Sequence, residues 1–276
     1  MAIKVRRLDE ELVERLDFYL RRDPITNFYP LYDLYDDEAR RKTLWYVGLK
    51  DERVVGFLLI YRGGRVVPAS IILDGDLDVV LPLLDLVGED KAIFHVDPKL
   101  SNVVKSKFHI GNEYSTEIMK LKRSEERLCI RHNVELLNED HVLEFLRLRR
   151  EWRPSLGSMT DEEMRWAKNE LERGHVYGAF TDGQLVSIAR LGELLSHIPE
   201  VCWIETVFTS QVYRGRGFAT SVVSKTVENA FKRYGVKYIG LGVRSDNTPA
   251  KRVYEKVGFK KHRDRCWLNL NVEFTP

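Results

Sequence analysis

A short run of alternating arginine and glycine carries the most distinctive chemistry of this 276-residue chain. Arg214, Gly215, Arg216 and Gly217 follow a strand-like stretch and precede residues 219–234, where apolar side chains recur at helical spacing. Glycine lets a backbone approach a ligand closely, and the first N–H groups of a helix lack internal partners and carry partial positive charge. With two guanidinium groups beside that terminus, the run predicts a site for phosphate groups.

Three other interpretations of the run stay open. An arginine–glycine patch for RNA belongs in low-complexity sequence, whereas this run lies between a predicted strand and a predicted helix. A dinucleotide loop requires the spacing G-x-G-x-x-G and a strand ending in an acidic residue further on. The third alternative is an ordinary turn that carries surface arginines.

A second group of residues lies further along the chain. Asn247, Ala250 and Tyr254 precede Gly258 and Phe259 in the pattern N-x-x-A-x-x-x-Y-x-x-x-G-F. Ala250 and Tyr254 are four residues apart, so a helix places them on one face. The small side chain of Ala250 leaves room for a ligand along that face, and Tyr254 offers a hydroxyl one turn further on.

The two groups together resemble the motifs of the GNAT superfamily of N-acetyltransferases. The R-x-x-G-x-A pattern of Arg214, Gly217 and Ala219, preceded by Val207 and Thr209 at a strand end, is similar to the acyl-CoA loop of that family. The resemblance covers roughly residues 134–271. It implies contacts between coenzyme A and these residues: Val207, Phe208, Thr209, Arg214, Gly215, Arg216, Gly217, Phe218, Ala219, Thr220, Asn247, Ala250 and Tyr254.

The resemblance also implies a reaction, the direct transfer of an acetyl group from acetyl-CoA to a primary amine in a ternary complex. The amine must lose a proton before it attacks the thioester. A main-chain N–H of the strand at 202–208 would stabilise the charge on the reacting oxygen, and Tyr254 would give a proton to the leaving thiolate. By the same resemblance, Asn247 would bond the pantetheine arm. The alternative for Tyr254 is a packing role.

Glu205 is the first candidate for the general base, because a carboxylate in a core strand is costly unless it has a function. It could equally contact a cationic acceptor or face solvent from the strand. Glu193, His175 and Tyr177 are outside candidates, and a water chain without a dedicated base is a further alternative. Catalytic assignments therefore go to Tyr254 and Glu205.

Composition narrows the class of protein. The formal net charge is +2, which gives no support to a nucleic-acid partner. Cys129, Cys202 and Cys266 are far apart, the N-terminus has no apolar leader, and no apolar run approaches membrane length. A cytoplasmic protein without a membrane partner is expected. His95 and His109 have no carboxylate or cysteine at metal spacing, so no metal is expected.

The chain alternates helices and strands twice, which predicts an α/β (α+β mixed sheet) protein of two tandem GNAT-like domains, each with a central mixed β-sheet flanked by helices. Residues 1–124 would form a degenerate domain without a CoA loop, since residues 97–102 replace the arginine–glycine run, and residues 125–276 the catalytic domain. A charge-dense segment at 120–131 would link them.

Within these domains the side-chain patterns locate individual elements. Thr248 is the predicted N-cap of the helix that carries Tyr254. A helix that Asn138 can cap has a buried stripe of Val142, Phe145, Leu146 and Leu148. Further helices are predicted at 8–20, 77–87, 101–108, 160–174, 219–234 and 250–257, and strands at 44–49, 54–61, 65–73, 92–96, 114–121, 175–180, 184–191, 201–208, 237–243 and 265–272.

Other functions remain as rivals. A CoA-binding sensor would bind the cofactor without turnover, a partner-binding tandem domain would not bind it at all, and aminoacyl-tRNA-dependent transfer would require a basic stripe. The amine acceptor and the oligomeric state stay unknown. In the GNAT fold the loop between the first two helices contacts the acceptor, and in the second domain this loop begins at Trp152 and Arg153. These two residues could recognise an acidic or planar group, or could be surface and packing residues.

Overall fold

The chain forms two compact units, and each unit draws on separated segments. The computed structural model describes these residues: 3–63, 68–154, 159–192 and 194–271. Unit 1 comprises Met1–Ile118, Val243–Asp246 and His262–Pro276, and unit 2 comprises Met119–Gly242 and Asn247–Lys261. This division differs from the predicted boundary between residues 124 and 125, above all because the C-terminal segment groups with the N-terminal unit.

The elements match most of the predicted helices and strands. In chain order they are β1 (Lys4–Arg7), α1 (Glu10–Leu20), α2 (Phe28–Tyr35), α3 (Asp37–Arg41), β2 (Thr43–Lys50), β3 (Arg53–Tyr61), β4 (Ala69–Gly75), α4 (Leu77–Leu84), β5 (Ala92–Val96), α5 (Ser101–Lys107), β6 (Ile110–Lys122), β7 (Asn133–Leu136), α6 (Val142–Trp152), α7 (Asp161–Glu172), β8 (Val176–Thr181), β9 (Gln184–Leu191), β10 (Val201–Thr209), α8 (Phe218–Arg233), β11 (Tyr238–Arg244), α9 (Thr248–Val257) and β12 (Lys260–Leu270). None of the helices in the described ranges is long and apolar enough to cross a membrane.

Unit 1 is built on a mixed sheet with the strand order β1-β2-β3-β4-β5-β12. The neighbours are antiparallel except β4 and β5, which run parallel and are joined by α4. A parallel pair requires such a crossover. The buried residues Val79, Val80, Leu83 and Leu84 of α4 pack with the apolar side chains of β4 and β5 in one core.

The strands of unit 2 follow the order β11-β10-β9-β8-β7 and include parallel and antiparallel neighbours. Asp182 and Gly183 turn the chain between β8 and β9 with φ of 49° and 72°, as an Asp-Gly hairpin requires. The parallel strands β10 and β11 are joined by α8, whose Val222, Val223 and Val227 are fully buried. The predicted strand, glycine loop and long helix are therefore all present in unit 2.

The parallel pairs correct one comparison between the two halves. Because β4-α4-β5 has the same connection as β10-α8-β11, the counterpart of the arginine–glycine run is the connection at 74–76 and not residues 97–102. That connection reads Asp74-Gly75-Asp76. Asp78 follows in the first turn of α4, so carboxylates stand where unit 2 has guanidinium groups.

The last strand differs from its predicted place. β12 was expected to close the sheet of the second domain, but it pairs antiparallel with β5, where Leu268 lies opposite Phe94. An apolar pattern predicts that a strand is buried, but it does not predict which strand lies next to it. Residue 272, at the end of the predicted strand, lies outside the described residues, as do Gly64 and residues 65–67 of the predicted strand at 65–73.

The charge-dense segment predicted as a linker contacts α8 in unit 2. The N–H of Cys129 donates to Ser224 Oγ at 3.0 Å, and the N–H of Arg131 donates to Ser221 Oγ at 3.1 Å. Both serines are buried. Their hydroxyls therefore hold an extended segment along the helix, and its charged side chains cover the outside of the unit.

The packing of Trp203 against the glycines of β11 leads to a stability prediction. A Cβ added at Gly240 would meet Trp203 Nε1 at 2.6 Å, whereas one added at Gly242 would meet the same indole at 3.7 Å, an ordinary contact. Overpacking a core costs typically 1–3 kcal/mol. We expect Gly240→Ala to lower the free energy of unfolding by about 2 kcal/mol in urea titrations. Gly242→Ala is the matched control, and equal losses in the two variants would contradict the packing.

Candidate active site

The central feature of unit 2 is the place where β10 and β11 stop pairing. Their parallel register runs from Val201 opposite Tyr238 to Ile204 opposite Leu241. β10 continues to Thr209 and pairs over this last part with β9. Its main-chain groups on the β11 side are therefore available to an added chain, which is how an extended ligand joins a sheet edge.

Glu205 lies at the point of separation. The β9 register jumps from Ile204 opposite Leu191 to Thr206 opposite Arg190, so Glu205 is the extra residue of a β-bulge. A bulge bends a strand and redirects a side chain, and bulges are common beside active sites. The side chain of Glu205 lies over Gly192, where a Cβ would come within 2.8 Å of its Oε1.

The arginine–glycine run follows β10 and is open to solvent. Gly215 and Gly217 have φ of 76° and 90°, a backbone conformation that side-chain-bearing residues rarely adopt. Gly217 is the N-cap of α8 and gives that helix no side-chain cap. The first amide N–H groups of the helix, at Phe218, Ala219 and Thr220, thus lack partners within the helix. Exposed Arg214 and Arg216 complete a group of donors suited to phosphate oxygens.

His132 fixes this loop, and sequence reasoning missed it. Its Nε2 lies 3.0 Å from the carbonyl oxygen of Arg216, and its ring stacks on Phe218 with centroids 3.9 Å apart. A lone histidine in a charge-dense segment gives no local signal of such a contact. Arg214 is held as well, because its Nε donates to the carbonyl oxygen of Thr209 at 3.2 Å.

The second predicted group lies on α9, which packs against α8. Parallel strands bring their carboxyl ends to one edge of a sheet, so the loops before α8 and α9 share that edge. Asn247 is the N-cap of α9, with Oδ1 accepting from the N–H of Ala250 at 3.2 Å. The prediction that Thr248 caps the helix is wrong by one residue, because Thr248 is its first residue and Pro249 follows.

Tyr254 is buried on the inner face of α9. Its ring packs edge-on against Phe259 at 6.0 Å, and its side chain is 7% exposed. Burial raises the pKa of Tyr254 to about 12. The hydroxyl therefore remains protonated at neutral pH, as a proton donor must.

Glu205 forms an ion pair with Arg190 of β9, and the same guanidinium binds Glu170 of α7. Glu170 is 7% exposed, so this second pair is buried. The arrangement joins α7, β9 and the bulge of β10 through one arginine. One guanidinium thus lies between two carboxylates, and the three groups together carry one formal negative charge.

A cavity of about 400 Å³ lies beside the bulge. Its walls come from α6, the residue after it, α7, β9 and β10, and they are formed by Phe145, Arg149, Trp152, Arg153, Trp166, Glu170, Ile188, Arg190 and Thr206. The cavity has the volume of a small-molecule site. Trp152 also contacts Phe208 near the end of β10, with ring centroids 5.0 Å apart.

Other candidates from the sequence lie elsewhere. Tyr177 is on β8, separated from β10 by β9, and its side chain is buried with a pKa raised to about 12 by that burial. His175 precedes the same strand and packs edge-on against Tyr234. Glu193 and residues 155–158 of the predicted acceptor loop lie outside the described residues. In unit 1, His95 is half-buried and packs on Trp267, and burial lowers its pKa to about 3.

These features define a class of protein. Residues 143–259, which contain the glycine loop and α9, match the family model described as the acetyltransferase (GNAT) family. The resemblance seen in the sequence motifs is thereby confirmed.

Two curated acetyltransferases are similar in sequence to part of this chain. The mycothiol acetyltransferase of Corynebacterium glutamicum is 31% identical over 115 residues, 40% of this chain and 37% of that protein. The N-alpha-acetyltransferase RimI of Mycobacterium tuberculosis is 33% identical over 87 residues, 32% of this chain and 52% of that protein. The chain thus spans between about a third and a half of the length of these curated relatives.

A solved structure matches the whole chain. It is a tandem GNAT protein from the clavulanic acid biosynthesis pathway, without acetyl-CoA, with a TM-score of 0.61 and 13% identity over 99% of this chain and 100% of that one. At this identity the match shows the fold alone. It confirms the predicted fold of two tandem GNAT-like domains.

Proposed function

We propose that the protein is an N-acetyltransferase that moves an acetyl group from acetyl-CoA to a primary amine. The observation that carries the proposal is the separation of β10 from β11 beside the glycine loop. The main-chain groups of Val207–Thr209 that are not bonded to β9 or to Arg214 suit an amide-rich arm, and the donors of the loop suit the phosphates of coenzyme A. The family of residues 143–259 supports the same cofactor.

In this proposal unit 2 holds both substrates and unit 1 binds no CoA. Support comes from the counterpart connection in unit 1, where Asp74, Asp76 and Asp78 surround the start of α4. Carboxylates there satisfy the helix dipole and repel phosphate. We also propose a cytoplasmic site of action, with which three free cysteines agree.

Acetyl-CoA supplies the activated acetyl group, and the residues of the chain orient it and move protons. Arg214, Arg216 and the N-terminus of α8 bind the phosphates. Main-chain N–H groups near the end of β10 stabilise negative charge on the carbonyl oxygen. Tyr254, protonated because its burial raises the pKa to about 12, gives a proton to the departing thiolate. Direct transfer requires no nucleophilic side chain.

Glu205 contacts the acceptor amine in this scheme. Arg190 is shared by Glu205 and Glu170, so the three groups carry one formal negative charge that can hold an ammonium group. The proton then leaves through water. The rival for the whole function is a CoA-binding sensor, which binds the cofactor and transfers nothing.

The cofactor assignment is tested by acetyl-CoA titration calorimetry on Gly217→Trp. We expect binding by the wild type at micromolar affinity and at least a 100-fold loss in the variant, because the indole fills the approach to the α8 terminus. Gly174→Trp is a matched control, since Gly174 also has a left-handed backbone (φ 72°) with open space around it. No binding by the wild type, or equal binding by all three proteins, would mean that the loop is not a CoA site.

The role of Tyr254 is tested with Tyr254→Phe. Loss of a positioned proton donor should lower kcat about 100-fold and leave the affinity for acetyl-CoA unchanged. Because the tyrosine pKa is raised to about 12, its proton is present throughout the range below that value, so wild-type kcat should not fall between pH 8 and 10. Tyr238→Phe, on β11, should match the wild type. An unchanged kcat in Tyr254→Phe would assign this tyrosine to packing.

Steady-state kinetics of Glu205→Gln separate the two roles of the carboxylate. An acceptor contact predicts a KM for the amine that rises about tenfold, with kcat and its pH dependence nearly unchanged. A general base would instead lower kcat and remove the acidic limb of its pH profile. Glu172→Gln on the exposed face of α7 is the control. Tight CoA binding with no acetyl transfer to any amine would favour the sensor.

A further inference from the structure

The cavity beside the bulge has an unequal set of charges. Four arginines lie in or next to its walls, namely Arg149, Arg150, Arg153 and Arg190, against three carboxylates, namely Glu163, Glu170 and Glu205. Glu163 accepts from Arg149 at 3.0 Å and also pairs with Arg150. Glu170 and Glu205 share Arg190. Arg173 also lies 4.0 Å from Glu170, so each of the three carboxylates already has an arginine partner.

Arg153 takes no part in these ion pairs. It follows α6, is exposed, and makes no ion pair with any residue in the described ranges. Its neighbour Arg149 is more confined, with its guanidinium 4.1 Å from the ring centre of Trp166. Burial, and the charge of Arg153 beside it, hold the pKa of Arg149 below its usual value. An anion at this end of the cavity would relieve the repulsion between the two arginines.

The part of the wall around Arg190 has the other polarity, because one guanidinium there binds two carboxylates. Thr206 forms part of the wall directly after the bulge, and Arg190 ties Glu205 to the same wall. In the proposed reaction this is the side where the acceptor amine meets the acetyl group. Phe145, Trp152 and Trp166 supply apolar surface to the same cavity.

We propose that the acceptor carries a carboxylate on the same small molecule as its amine, so that it belongs to the amino acid class. Arg153 binds the carboxylate, since a guanidinium presents paired donors that match its two oxygens. The amine points to Thr206 and Glu205, and an apolar or planar side chain packs on the tryptophans. This inference rests on the proposed acetyl transfer and adds its substrate class.

The experiment is an acetylation screen of L-amino acids and ω-amino acids, each paired with its own carboxamide. It uses the 276-residue chain, and the free thiol released by the reaction is measured. Arg153→Gln is compared with the wild type, with Arg153→Lys as the conservative variant and with Arg147→Gln as the control, because Arg147 is an exposed arginine of α6 outside the cavity. The change in the acid-to-amide ratio between proteins cancels the intrinsic reactivity of each amine.

We expect the wild type to prefer acids over amides. Arg153→Gln should lower kcat/KM about tenfold for acids and less than twofold for amides, as loss of one charged hydrogen-bonding partner at a partly exposed site predicts. Arg153→Lys should retain part of the preference, and Arg147→Gln all of it. Unfolding midpoints should be unchanged in all three variants.

Some results would refute only the substrate class, and another would refute the proposed function as well. If acetyl-CoA binds and carboxamides or plain amines react as well as acids, or if Arg153→Gln lowers both classes equally, the substrate class is wrong and acetyl transfer stands. If the wild type fails to bind acetyl-CoA in the calorimeter, the proposed function fails and the substrate class falls with it.

Discussion

The loss of pairing between β10 and β11 after Ile204 is the constraint on which the rest of unit 2 depends. A parallel pair that stayed in register to Thr209 would satisfy its own main chain and leave nothing for a ligand. The bulge at Glu205 turns the strand at the same point, so one local irregularity both frees the backbone and redirects a carboxylate. The large buried surface of α8 and the sheet holds this irregular segment in place.

Sequence patterns could predict the parts of the site that are encoded locally. Left-handed glycines, the helix that follows them and the small residue at Ala250 are all properties of short stretches, and the structure has each of them. Contacts between distant segments leave no such trace. The stacking of His132 on Phe218, the guanidinium shared by Glu170 and Glu205, and the pairing of β12 with β5 depend on which surfaces meet in three dimensions. The helices α2 and α3 were missed because they are short and their apolar residues follow no clean period.

The two units show how one topology can be given opposite electrostatics. Both contain a parallel pair joined by a helix, and in both a glycine with positive φ lies before the helix. In unit 2 arginines flank that glycine. In unit 1 the flanking residues are Asp74 and Asp76, and Asp74 accepts from the hydroxyl of Tyr19 at 2.6 Å. The carboxylate is thus committed to an internal bond, and the connection contributes to the stability of its own unit.

Phe208 has neighbours on two sides, since Trp152 contacts its ring at 5.0 Å and the guanidinium of Arg214 lies 5.8 Å from its centre. Trp152 belongs to the wall of the cavity, and Arg214 belongs to the glycine loop. A single aromatic ring is therefore common to two half-sites. If the proposed cofactor binds at the loop and the proposed acceptor binds in the cavity, each orders a ring that the other also requires to be ordered. The two would then bind cooperatively without any movement of the backbone.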